Sequence, residues 1–135
     1  MVKISLVSLF LVASSPAFAS GPCATASTTL TQPERKMYAR SISSNLSKWQ
    51  PPAQIKVQKA VTVANWTAVW ATPTGVEQGV FFYSQEKSGL VFHDVWGGYA
   101  ASSDKANVMQ WVMKLSPSVP NDFAECFADA VTAGH

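Results

Sequence analysis

The stretch DVWGGYA, residues 94–100, gathers a carboxylate, an indole and a phenol around two adjacent glycines. It could form a recognition loop, in which the glycines let a partner approach the backbone while Trp96 and Tyr99 supply rigid aromatic anchors. The same letters also describe a strand that ends and turns, with Asp94 capping backbone N–H groups and Trp96 closing the end of the core. The first interpretation makes this stretch a binding site, and the second makes it part of the packing of the fold.

Acid–base chemistry is another possibility, because His93 directly precedes Asp94. Neighbouring residues of a regular strand point to opposite faces of a sheet, so these two side chains should not share a hydrogen bond. A glycosidase would need two carboxylates roughly 5 to 10 Å apart, and the acids near the predicted sheet are Glu77, Glu86 and Asp94. No nucleophile motif such as G-x-S-x-G occurs. The sequence therefore favours a protein without catalysis, with an unrecognised hydrolase that uses Asp94, Glu77 or His93 as an alternative.

The sequence offers little to a metal, a cofactor or a nucleic acid. Its two histidines are His93 and His135, and no Cys-x-x-Cys or His-x-x-x-His spacing occurs. Gly97-Gly98 lacks the spaced glycines and the lysine of a phosphate loop. The formal net charge is +2 without a run of like charges, whereas binding to phosphate backbones needs a concentrated basic patch. We therefore predict no metal site, no cofactor and no nucleic-acid partner.

Aromatic side chains are dense between residues 66 and 99, in a chain of which only 13% is charged. Rings fall on both faces of the predicted third strand. A sheet covered by helices on one face would leave some of them in water, as a binding surface or a platform for sugar rings. If the helices cover opposite faces, the same rings form the core. On the first interpretation, the candidate binding residues are Trp70, Tyr83, Asp94, Trp96 and Tyr99.

The elements that would position these residues begin with a helix. Thr31 followed by Pro33 and Glu34 is typical of a helix N-terminus with a capping box. The apolar spacing predicts that the helix continues as far as Pro51-Pro52. Its buried face should consist of Tyr38, Ile42, Leu46 and Trp49.

Four short strands should follow, because the apolar residues recur with a period of two. The alternation predicts strands over residues 54–63, 66–72, 79–84 and 90–96. Asn65 would accept the positive φ of the first turn. One face of the first strand should carry Ile55, Val57, Val61 and Val63, and Lys59 interrupts this apolar face. Short links between the strands favour an antiparallel meander.

Two helices should close the chain. Ser102 or Ser103 could cap a helix that runs through Leu115, and a last helix should open at Pro120 and present one face made of Phe123, Cys126, Phe127 and Ala130. The predicted fold is therefore α+β, with an N-terminal helix, a four-stranded antiparallel meander and two C-terminal helices, the sheet being covered on one face.

Residues 1–19 have the features of a secretory signal peptide: Lys3, an apolar run over residues 4–13 and a small-x-small triplet ending at Ala19. The apolar run is too short for a membrane span, which needs about 20 residues. We therefore expect a single domain over residues 20–135 in the periplasm or outside the cell. In such an oxidising compartment, Cys23 and Cys126 should form a disulfide.

The run from Trp66 through GVFFYS (79–84) and DVWGGYA to DFAECFADA (122–130) resembles a group of small exported proteins of proteobacteria. The resemblance implies a bacterial, periplasmic or secreted setting. It implies no activity and no functional residue.

Taken together, the sequence predicts an exported, non-catalytic binding protein, such as an inhibitor of, or an immunity factor against, a cell-envelope hydrolase or toxin. The expected partner is an envelope or secreted protein. The alternative is a glycan or small-ligand binder that uses aromatic residues of the sheet, with a cell-wall glycan as its partner.

Overall fold

In the computed structural model, which describes residues 21–133, one helix precedes a four-stranded sheet and two helices follow it. The helices are α1 (Gln32–Asn45), α2 (Lys105–Met113) and α3 (Asn121–Thr132), and short 3-10 turns lie at Pro52–Gln54 and Ser102–Asp104. The strands β1 (Ile55–Val63), β2 (Trp66–Pro73), β3 (Gly79–Glu86) and β4 (Gly89–Trp96) pair antiparallel in chain order. This confirms the predicted fold class and strand order. The predicted signal peptide lies outside the described residues.

Helix α1 begins as predicted. The Glu34 backbone N–H donates to Thr31 Oγ1 at 3.3 Å, and the Thr31 N–H donates to Glu34 Oε1 at 3.2 Å, which completes the capping box. The helix ends at Asn45, earlier than predicted, so that Trp49 lies beyond it and is 67% exposed. The prediction that Trp49 belongs to the buried face is wrong.

Side-chain hydrogen bonds to the backbone occur in the last turn of α1. Ser44 Oγ donates to the Arg40 carbonyl at 3.1 Å and Asn45 Nδ2 donates to the Ser41 carbonyl at 2.8 Å. These side chains share the carbonyl acceptors of the Ser44 and Asn45 backbone N–H groups, a local competition that weakens the last turn of a helix.

Helices cover both faces of the sheet, which corrects the prediction of cover on one face. Helix α1 packs on one face in a core that includes Tyr38, Ile42, Val69, Phe81 and Tyr83. Helices α2 and α3 pack on the other, in a core that includes Trp66, Trp70, Phe82, Val112 and Phe127. The physical reason is that both central strands are apolar on each face, and β2 and the first six residues of β3 are buried almost throughout. Most of the ring-bearing side chains are therefore core.

A β-bulge in β1 divides that strand between the two cores. Val57 pairs with Ala71 and Lys59 pairs with Trp70, so Gln58 is the extra residue. Because one extra residue reverses the alternation of side chains, Ile55 and Val57 before the bulge face α1, whereas Val61 and Val63 after it face α2 and α3. The predicted shared face of Ile55, Val57, Val61 and Val63 is therefore wrong.

Helix α1 stabilises this bulge. Arg35 Nη1 donates to the carbonyl oxygen of Val57 and lies 3.5 Å from that of Gln58. A bulge interrupts the ladder of backbone hydrogen bonds, and the guanidinium replaces part of it.

A second bulge lies in β4. Phe82 pairs with Asp94 and Tyr83 pairs with Phe92, which leaves His93 as the extra residue. His93 therefore turns toward the core under α2 and α3, where its ring stacks on Trp66 at a centroid distance of 4.3 Å.

Neighbouring residues take the roles that were predicted for the turn residue of β1–β2 and for the cap of α2. In the β1–β2 turn the positive φ, 53°, belongs to Ala64 and not to Asn65. Helix α2 begins only at Lys105 and has no capping bond from Ser102 or Ser103. Instead, Asp104 Oδ2 accepts from the Ala101 N–H at 2.9 Å in the preceding turn.

The predicted disulfide is confirmed. Cys23 and Cys126 are bonded across 103 positions of the chain, with their Cα atoms 4.7 Å apart. The bond joins the segment before α1 to the buried face of α3. Among the described residues, no helix combines the length and the apolar character that crossing a membrane requires.

Candidate binding groove

A groove in the described part of the chain lies where the sheet, the segment after β4 and α3 meet. It has a volume of about 450 Å³, within the range of small-molecule sites. Its lining consists of Gln58, Lys59, Trp70, Gln78, Val80, Trp96, Gly97, Gly98, Tyr99, Ala100, Ala130 and Val131. Three aromatic rings and two carboxamides are thus combined with a single charged side chain, that of Lys59.

The bulge in β1 places two of the polar residues at the groove. After the extra residue Gln58, Lys59 falls on the same face as its pairing partner Trp70, and its Nζ lies 4.3 Å from the centroid of that indole. A cation over an indole face is attracted by the ring quadrupole. The lysine that interrupts the apolar pattern of β1 is therefore held at the wall of the groove.

A hydrogen-bonded chain fixes the two carboxamides. Gln78 Nε2 donates to Gln58 Oε1 at 2.9 Å, and Gln58 Nε2 donates to Thr72 Oγ1 at 2.7 Å. Oriented carboxamides present both a donor and an acceptor, so this wall suits a polar, uncharged ligand group.

The opposite wall is the segment Trp96–Ala100. Trp96 is partly buried, edge-on to Phe127 at a centroid distance of 5.7 Å, whereas Tyr99 is 74% exposed. Gly98 has a positive φ of 109°. A Cβ atom placed on Gly97 or on Gly98 would meet no atom within 4 Å. The glycine backbone therefore borders open space and can be approached by a ligand.

The structure brings three of the five predicted binding residues together. Trp70, Trp96 and Tyr99 all line the groove, with Trp70 only 6% exposed as its floor. Asp94 lies outside the lining; it is exposed, and its Oδ1 accepts from the Val95 N–H at 2.7 Å. That contact is the local capping role considered for Asp94.

Tyr83 is placed elsewhere. It is fully buried under α1, with its ring 5.3 Å from that of Tyr38, and burial raises its pKa to about 12. A neutral phenol inside the core cannot reach a partner while the fold stays closed. Tyr83 and its neighbour Phe82 point to opposite faces of the sheet. Helices cover both faces, so both rings are buried.

Sequence reasoning missed Gln58, Lys59 and Gln78 as groove residues. The signal for Lys59 was present in its interruption of the apolar face of β1. A β-bulge has no clear sequence signature without glycine, so the place of Lys59 in the groove could not be predicted from this interruption.

The bulge in β4 assembles a second polar cluster, Ser84, Glu86 and His93. Ser84 Oγ lies 2.7 Å from His93 Nε2 and donates to Glu86 Oε1 at 2.8 Å. No such contact joins His93 to Asp94, as expected, although the reason differs: the bulge breaks the regular alternation on which the expectation was based.

The protons of this cluster are arranged differently from those of a hydrolase. Because the single hydroxyl proton of Ser84 is donated to the Glu86 carboxylate, His93 Nε2 must carry a proton and donate to Ser84 Oγ. A general base would have to accept the serine proton instead. Ser84 is also fully buried. Burial lowers the pKa of His93 and the Glu86 carboxylate opposes this shift.

The candidate carboxylates of a glycosidase are spread along the sheet. Glu77 precedes β3 and Glu86 ends it, and the strand between them spans about 23 Å at 3.3 Å per residue. Asp94 pairs with Phe82, four residues or about 13 Å from Glu86 along the sheet. Both separations, taken along the backbone, are longer than the roughly 5 to 10 Å between the carboxyl groups of a glycosidase pair. Within the described part of the chain, no group of three or more metal-ligating side chains is found.

Comparisons with known proteins give no relative. No protein-family model matches the chain, and neither a curated protein nor a solved structure does. The resemblance to small exported proteobacterial proteins gains no support from these comparisons, and the site must be interpreted from its own geometry.

Proposed function

We propose that this chain is an exported, non-catalytic binding protein whose groove takes a saccharide of the cell envelope. The observation that carries the proposal is the composition of the groove, in which Trp96, Tyr99 and the hydrogen-bonded carboxamides of Gln58 and Gln78 line one volume of about 450 Å³. Sugar rings present C–H faces that pack on aromatic rings and hydroxyl groups that pair with carboxamides. The export and the periplasmic or secreted location belong to the proposal; the signal-like N-terminus and the disulfide support them.

The charge of the groove fits the same class of ligand. Lys59 is the one charged residue of the lining, and no carboxylate lines the groove. A neutral sugar would meet no unpaired buried charge, and a sugar acid would find an ammonium group at the wall. A metal-bridged or strongly cationic ligand is disfavoured by the same lining.

An inhibitor or immunity factor, the function that the sequence favoured first, requires a broad contact surface. A protein interface needs a contiguous patch of about 800 Å² on each partner. Among the described residues, the large apolar side chains that are exposed are distributed over α1, α2, β4 and three connecting segments; they are Met37, Trp49, Val76, Val95, Tyr99 and Met113. The groove is a more concentrated feature, so we place the saccharide first.

The test is retention of the purified protein on insoluble peptidoglycan. Tyr99→Ala and Gln78→Ala remove exposed groove side chains, and each should weaken binding about three- to tenfold through a lost ring or hydrogen bond. Trp49→Ala is the matched control, because Trp49 is exposed and does not line the groove.

Wild-type protein that is not retained, or groove variants that bind as tightly as wild type, would overturn the proposal. If affinity capture from the envelope then enriches one protein, and that capture survives both groove variants, the inhibitor function replaces it.

A further inference from the structure

A second cavity adjoins the groove on the other side of the Trp96–Ala100 segment. It has a volume of about 280 Å³ and lies between that segment and α2. It is lined by Trp96, Gly97, Tyr99 and Ala100, which it shares with the groove, and by Asp104, Asn107, Val108 and Trp111. The two cavities are therefore neighbours separated by one exposed aromatic wall.

The second cavity, like the groove, combines an aromatic ring with a carboxamide, and its one charged residue is Asp104, whereas that of the groove is Lys59. Trp111 is partly buried, with its ring 5.4 Å from that of Phe82, and supplies an aromatic surface. Asn107 is exposed on α2 and supplies a carboxamide. Asp104 holds the adjoining backbone through Oδ2, which accepts from the Ala101 N–H at 2.9 Å. A ring and a carboxamide thus occur on each side of Tyr99.

A linear chain of similar units suits two adjoining cavities that each offer an aromatic ring and a carboxamide. A single compact molecule would fill one cavity and leave the other in water. A linear oligomer can place successive units on opposite sides of Tyr99 and run over the open space beside Gly97 and Gly98. Carboxamides on both sides match the acetamido group, which presents one donor and one acceptor, and the small apolar residues Ala100, Ala130 and Val131 can accept its methyl group.

We infer that the protein binds a linear oligosaccharide of N-acetylated amino sugars across Tyr99, with one unit in the groove and the next in the cavity under α2. This inference rests on the proposed function and extends it to the class and minimum length of the ligand, two units. It assigns to Asn107 and Trp111 the role of contacting the second unit.

The experiment is calorimetric titration of the purified protein with N-acetylglucosamine oligomers of one to four units. Affinity should rise at least tenfold from one unit to two, because the second unit gains its own ring and hydrogen bonds, and should then level off. Asn107→Ala should weaken the binding of two or more units about three- to tenfold and leave the single unit unchanged. Gln110→Ala is the control, since Gln110 is exposed on the same helix and lies outside the cavity.

The outcomes separate this inference from the proposed function. Equal affinity for all lengths, or an Asn107→Ala variant identical to wild type, overturns the second subsite and leaves the groove as a site for one sugar. Retention on peptidoglycan without binding of any oligomer overturns the assignment of the ligand. Failure of peptidoglycan retention and of every titration overturns both.

Discussion

At the scale of single residues, His93 shows how position in the sheet decides chemistry. The sequence predicted that the adjacent His93 and Asp94 would not form an acid–base pair; in the structure the bulge directs His93 to Ser84 and Trp66, and Asp94 contacts its own backbone. The cluster that results has a buried serine and a histidine that donates to it. We therefore expect this cluster to contribute to the stability of the fold.

This arrangement makes stability depend on pH. Burial lowers the pKa of His93 below its ordinary value of 6.5, so the unfolded chain binds more protons than the folded chain between the lowered pKa and 6.5. The free energy of unfolding should therefore fall as the pH drops through this window, and it should level off below the folded pKa. Denaturant titrations from about pH 7.5 to pH 5 measure the effect.

The variant His93→Gln should flatten that step, because it keeps a hydrogen-bonding group near Ser84 but cannot titrate in this window. His135 remains in both proteins, so the difference between their pH curves isolates His93. Parallel curves for the variant and the wild type would contradict this account.

At the scale of elements, the two bulges decide where the site residues lie. The bulge in β1 moves Lys59 and Gln58 to the groove, and the bulge in β4 moves His93 away from it. Bulges that redirect side chains next to a site are a recurrent device. The contact from Arg35 of α1 to the β1 bulge links the helix on one face of the sheet to the groove on the other.

Arg35→Gln should therefore destabilise the protein by about 1.5–3 kcal/mol, the range for a hydrogen bond to a charged group. It should also weaken retention on peptidoglycan, although Arg35 does not line the groove, because the position of Lys59 depends on the bulge. Chemical denaturation and the retention assay measure the two effects.

Arg40→Gln is the matched control for this variant. It removes the same charge from the exposed side of α1 and should change neither stability nor binding. If both variants behave alike, the bulge does not depend on Arg35.

At the scale of the whole molecule, the disulfide and the two-sided core determine stability. Helices on both faces bury most of the ring-bearing residues of β2 and β3, and the bond between Cys23 and Cys126 attaches the segment before α1 to α3. A cross-link over 103 positions restricts the unfolded chain strongly, by an upper figure of about 4–5 kcal/mol in the chain-entropy account.

The double variant Cys23→Ser with Cys126→Ser should lose about 2–4 kcal/mol of stability, seen as a lower Tm, and reductant should lower the Tm of the wild type alone. The groove should still bind, since neither cysteine lines it. A wild-type Tm that does not respond to reductant, or free thiols in mass spectrometry of the purified protein, would contradict the role of the bond.

The amino-acid sequence alone was sufficient to predict the features that depend on residue types at short spacing. The capping box of α1, the order of the elements, the antiparallel meander and the disulfide could all be predicted, because each follows from residue type at short spacing or from the pairing of two cysteines. Trp70, Trp96 and Tyr99 could be named as binding candidates from the density of aromatic residues.

Only the tertiary structure decided which faces are covered and which side chains meet. One extra residue in β1 and one in β4 reverse the alternation of side chains, and neither bulge has a signature in the residues that form it. The placement of α1 opposite α2 and α3 buried Tyr83 and exposed Tyr99, because packing satisfies both apolar faces of the sheet at once. The groove exists through that packing, and so its polar residues Gln58, Lys59 and Gln78 became visible only in three dimensions.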